Sequence, residues 1–199
     1  MIDLKASGHR AMGLCVAFTL SVLSANTAPA DEAKCKLTPE DKAANAKLSF
    51  DEFDQMGVTA STWRALEEAG CHKLAVEAAE DYLVNGPVLT PSAKSDVLFH
   101  IAQSLAFDGD NPGAALMVTA AIPPGRDNHG DLDWTTYLIG TWAFLAKDRA
   151  RLDAAATKVA AEPGNGNRID GDVLKGLAAC FDKPYAKAYV DCRPPLPKH

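Results

Sequence analysis

Apolar residues recur every three or four positions through most of this chain, and no stretch alternates apolar and polar residues with β-branched enrichment. The segments fall into pairs. "TWRALEEAG" and "HKLAVEAAEDYL" come first, then "SDVLFHIAQSLAF" and "GAALMVTAAI", then "WTTYLIGTWAFLA" and "RLDAAATKVAA". A shorter pair, "GDVLKGLAAC" and "YAKAYVDC", follows. Breaks are expected at "NGPVLTP", "PPGRDNHGD" and "PGNGN", where glycine, proline and asparagine cluster. The pattern predicts an all-α protein.

Helix-start signals agree with this division. Thr90-Pro91 and Asn111-Pro112 each offer a capping side chain and a proline at the first helical position. Asp133 before Trp134 and Asp182 near Pro184 suit the same role. Upstream, Thr38-Pro39 opens a helix, and Ser49 with Glu52 forms a capping-box pattern for a short helix around Phe53. The turns inside the pairs fall at Gly70, Gly109, Lys147 and Lys183, which are 39, 38 and 36 residues apart. A period of that size points to stacked antiparallel helical hairpins, each burying a face against its neighbour.

The second unit, Leu98 to Ala121, resembles a tetratricopeptide repeat. Leu98, Ile101, Ala102 and Leu105 occupy the first helix, Gly109 the turn, and Ala114, Val118 and Ala121 the second helix. Elsewhere Trp63 stands where that repeat has a small residue, Lys147 replaces the turn glycine and Leu152 an alanine. The resemblance spans residues 59–192 and implies a degenerate solenoid of about four hairpins behind a short N-terminal helical cap, residues 31–58. It also implies that the first helices line a concave groove holding an extended peptide or partner segment. Carried over unit by unit, that groove comprises Arg64, Glu67, Asp96, Phe99, Gln103, Trp134, Tyr137, Thr141 and Phe144. The set mixes aromatic anchors with hydrogen-bonding groups and holds few basic residues, which argues against capture of a free peptide C-terminus.

The ends change the setting. Residues 1–30 read as a secretory signal: a weakly basic start, the apolar run Ala11 to Ala25, then small residues at Ala28 and Ala30. Export to a bacterial periplasm is the expectation, with secretion to the exterior as the alternative. The 20 basic and 26 acidic side chains, less Lys5, Arg10 and Asp3, leave 18 and 25, a net charge of −7. Such a chain is a poor partner for nucleic acid or an anionic membrane. Cys35, Cys71, Cys180 and Cys192 then remain for an oxidising compartment. Four cysteines allow three pairings; short loops favour Cys35–Cys71 and Cys180–Cys192. Zinc is the competing use, but no pair has CxxC spacing. The tail "RPPLPKH", residues 193–199, is expected to be extended and poorly ordered.

Chemistry is sparse. "FDGDNPGAALMV" looks like a calcium loop, but counting from Asp108 puts Pro112 at the fifth position and Thr119 at the twelfth, where an oxygen ligand and a glutamate are required. It reads as a hinge. "RDNHGDLDW" places Asp127, His129, Asp131 and Asp133 at alternate positions, a pattern that reads as a solvated acidic linker. His72 is expected to face water, His100 to be a packing residue and His199 to lie at a mobile end. No GxSxG, HExxH or phosphate-loop motif is present. No cofactor or metal is called for, and catalysis is not expected. The sequence therefore favours protein or peptide binding, with an adaptor subunit of an envelope complex, or a small-molecule, metal-binding or enzymatic role, as alternatives.

Overall fold

A computed structural model describes residues 35–122, 124 and 131–194; the expected signal segment and the end of the tail lie outside these. The described residues contain helices and no strand. Helix α1 (Pro39–Asn45) is followed by a π-helical turn (Asp51–Met56). Eight more helices come after it: α2 (Trp63–Glu68), α3 (His72–Asn85), α4 (Pro91–Phe107), α5 (Asn111–Ala121), α6 (Trp134–Leu145), α7 (Arg149–Ala161), α8 (Asn165–Ala179) and α9 (Tyr185–Asp191). Consecutive helices from α2 to α9 pack against one another, and α9 also reaches α4.

Short turns set this order. Gly70, Gly109 and Lys147 each take a left-handed conformation, with φ of 77°, 92° and 58°, in the middle of the α2–α3, α4–α5 and α6–α7 connections. At each, the next residue's N–H reaches back five positions: Cys71 to the carbonyl of Leu66, Asp110 to Leu105 and Asp148 to Ala143. This is the glycine-type helix stop, which satisfies the carbonyls a helix end leaves bare. Lys147 achieves it without glycine. Its ammonium donates to the carbonyl of Phe181 at 2.7 Å and lies over the Phe144 ring.

Caps start the helices. Thr38 and Asp41 form a reciprocal capping box on α1. Ser49 and Glu52 make the same exchange ahead of the π turn, so the short helix expected around Phe53 is present in wider form. Thr90, Asp133 and Asp148 cap α4, α6 and α7, and Asp110 rather than Asn111 caps α5. Two expectations are corrected. Pro184, not Asp182, holds the cap position of α9, with no side-chain bond. The break at "PGNGN" is partly absorbed, because α8 begins at Asn165. Its first N–H groups are capped from another segment: Asp131 Oδ2 accepts from Asn165 and, at 3.2 Å, from Gly166.

Two apolar clusters meet at α4. Val97 and Ile101 join Phe53, Trp63, Leu66 and Tyr82 on the N-terminal side. Phe99, Ala102 and Ala106 join α5 to α9 through Val118, Leu138, Phe144, Leu174 and Tyr185. Small residues allow the close approach. A Cβ on Gly140 would stand 2.7 Å from a Leu174 methyl and 3.1 Å from Ala155, so its absence lets α6 lie against α7 and α8 without displacing the Leu174 side chain. Cys35–Cys71 and Cys180–Cys192 are paired, with Cα atoms 5.5 and 6.1 Å apart. Among the described residues, no helix is long and apolar enough to cross a membrane.

Candidate functional site

The helices enclose a concave cavity of about 470 Å³. The first helix of each successive pair contributes to it: Trp63, Arg64, Glu67 and Glu68 from α2, Phe99, His100, Gln103 and Phe107 from α4, Trp134 and Tyr137 from α6, and Asp170 from α8. His72 at the start of α3 and Tyr189 of α9 complete the wall.

The π turn supplies the first fixed feature. It carries Phe53 and Asp54 into the interior, both fully buried, with Phe53 stacked on Tyr82 at 3.9 Å between centroids. Asp54 Oδ1 then meets His100 Nδ1 at 2.7 Å, and its Oδ2 accepts from Gln55 at 2.6 Å. The His100 ring stacks on Trp63, centroids 4.1 Å apart and nearly parallel. Arg64 donates from Nε to the backbone carbonyl of Asp54 and sets its guanidinium 4.9 Å from the centre of the Trp63 ring.

A second chain of bonds runs beside it. Trp63 Nε1 donates to Ser104 Oγ at 3.0 Å, and Ser104 donates to Glu67 Oε2 at 2.7 Å. The same oxygen meets His72 Nδ1 at 3.1 Å. The His72 ring stacks on Phe107. In both pairs the acid accepts, so Nδ1 carries the ring proton. A neutral imidazole then presents Nε2 as a bare acceptor. Neither Nε2 has a hydrogen-bond partner among the described residues.

The far wall is aromatic. Phe99 makes edge contacts with Trp134 and Tyr137, at 5.1 and 5.4 Å. Trp134 is held by its indole N–H to Ser95 Oγ at 2.8 Å. Gln103 reaches the Tyr185 hydroxyl at 3.5 Å. Among these groups sits Asp170, whose carboxyl is pushed up to about 6 by burial, with Arg193 opposing the rise. Burial likewise pushes the phenols of Tyr137 and Tyr189 up.

Of the nine residues implied by the repeat resemblance, Arg64, Glu67, Phe99, Gln103, Trp134 and Tyr137 line this one cavity. Phe99, Trp134 and Tyr137 are also core residues, over nine-tenths buried. Asp96 is half-buried on α4 and is not part of the wall. Phe144 is fully buried in the core; Thr141 is buried, and its hydroxyl has no hydrogen-bond partner among the described residues. His100 is the packing residue expected, stacked on Trp63 and bonded to Asp54, and it also lines the cavity; His72, expected to face water, is a wall residue held by Glu67. Asp54, Asp170 and Tyr189 carried no signal in the repeat pattern, whereas Glu68 stands four after Arg64 on the same helix. His100 and Phe107 had one: they stand three before and four after Gln103, on the same helical stripe.

The arrangement offers oriented acceptors, carboxylates and aromatic faces. Ser104, the hydroxyl nearest the histidines' network, is fully buried and committed to Trp63 and Glu67. Among the described residues no group of three or more His, Cys, Asp or Glu is placed to hold a metal ion. Asp127 and His129 of the acidic linker lie outside the described residues. Asp131 and Asp133 serve as caps, and Asp133 also pairs with Lys158 at 2.9 Å. The chain matches no protein-family model, and no curated protein or solved structure matches it.

Proposed function

We propose that this is an exported, tetratricopeptide-like binding module, a stack of about four helical hairpins that captures a segment of a protein partner. The observation that carries the reading is one concave cavity to which α2, α4, α6 and α8 all contribute. A stack of paired helices turns its first helices toward one side, and a site built from them spans the repeats. The polar wall groups are held before any ligand arrives: His100 by Asp54, His72 by Glu67, Arg64 by the Asp54 carbonyl. Groups fixed in advance lose little freedom on binding. The disulfides suit an oxidising compartment, periplasmic or extracellular.

The test is site-specific photocrosslinking in the oxidised protein. A crosslinking side chain replaces Glu68, which is exposed at the cavity, or Thr119, exposed on α5 outside it. A partner adduct at position 68 and none at 119 supports groove binding. An adduct only at 119 would make the protein an adaptor that uses another face.

A further inference from the structure

The cavity is unbalanced in hydrogen-bonding character. Glu67, Glu68 and Asp170 contribute three acids to its wall against one permanent cation, Arg64. Arg64 is already engaged, through Nε to a carbonyl and over the Trp63 ring. The two imidazoles add acceptors, because each carboxylate partner fixes the proton on Nδ1. Asp170 makes no hydrogen bond or ion pair with any described residue. Arg193 is near enough to act on it through space, yet its Nη2 points to the carbonyl of Ile169 at 3.4 Å and its Nε is unpaired. A site rich in acceptors, walled by aromatic rings and carrying net negative charge is complementary to a cation with several N–H donors.

Resting on the binding reading above, we propose that the cavity receives the basic side chain of an arginine or lysine in the bound segment, with Asp170 as its counter-ion and the free ring nitrogens of His72 and His100 as acceptors. Phe107 and Tyr189 give the cation ring surface at the cavity wall. The chain's overall negative charge favours the approach of such a segment.

The experiment uses the oxidised protein and two heptapeptide mixtures with randomised flanks, one with arginine fixed at the centre and one with its uncharged isostere citrulline. Binding is read by tryptophan fluorescence, since Trp63 and Trp134 line the cavity. The arginine mixture should bind roughly tenfold to a hundredfold more tightly than the citrulline mixture. Asp170→Asn should erase most of that preference. Equal binding of the two mixtures to the parent protein overturns the cation assignment and leaves groove binding intact. Free agmatine binding as tightly as the arginine peptides would overturn the peptide origin of the cation. Absence of binding by either mixture refutes the inference; if position 68 still crosslinks to a partner, groove binding alone survives.

Discussion

Asp170 should cost the protein stability in the free state, and replacing it should show how much. Its carboxyl is pushed from an ordinary 3.8 to about 6, chiefly by burial. A raised folded-state value means that the protonated form suits the fold better. The associated stability is complete below about pH 3.8 and is lost as pH rises through about 6. Each tenfold change in acidity constant corresponds to about 1.4 kcal/mol, so the whole loss is about 3 kcal/mol by pH 7.5. The phenols of Tyr137, Tyr185 and Tyr189 are raised above this window. Asp170→Asn keeps the shape and removes the titration. Urea unfolding of parent and variant at steps from pH 4 to pH 8 should give a stability difference that is small at pH 4. It should grow in the variant's favour to about 3 kcal/mol by pH 7.5. A difference that does not change with pH, or a variant less stable than the parent at pH 7.5, would refute the reasoning. A stabilising replacement that weakens cation binding is the pattern expected where a site retains an unfavourable charge for function.

Three further outcomes follow from other contacts. A double-mutant cycle with Asp54→Asn and His100→Gln should return a coupling of about 1.5–3 kcal/mol in urea unfolding, because the 2.7 Å bond is charge-assisted and its acid is fully buried; a coupling under about 0.5 kcal/mol would contradict it. Gly109→Ala should cost about 1–2 kcal/mol, the left-handed penalty alone, since a Cβ there meets nothing within 4 Å; a larger fall in denaturant midpoint would reveal a clash. Removing Cys35–Cys71 by paired alanines should cost about 4 kcal/mol and removing Cys180–Cys192 about 3 kcal/mol, from sequence separations of 36 and 12. Calorimetry that reversed this order would show that loop entropy does not govern the staples.

The paired helices were legible because their determinants are local. Three-to-four spacing, three-residue turns centred on Gly70, Gly109 and Lys147, and aspartates just ahead of α5, α6 and α7 can all be read within a few positions of where they act. The start of α8 was not legible for the complementary reason. Glycine and asparagine at 164–167 favour a break, and the capping oxygen that offsets this comes from Asp131, 34 residues earlier. The π turn is similar. The Ser49–Glu52 exchange announces a helix start, but nothing local announces that the turn widens to finish at Gly57, with φ of 61°.

The candidate site divides along the same line. A repeat-based projection selects positions by register, so it found residues on the first helices and counted core and wall alike: Gln103 at the cavity, Phe144 in the interior. It could not find groups delivered from outside the repeat register. Asp54 arrives from the N-terminal π turn to hold His100, 46 residues away, and Asp170 enters from the helix whose start the sequence misplaced. Those two acids distinguish this cavity from a generic groove between helices. One fixes an imidazole as an acceptor, and the other is a carboxylate that no described residue hydrogen-bonds. The specificity proposed for the protein therefore rests on parts that local sequence pattern does not announce, while the packed helices supply the concave frame that brings them together.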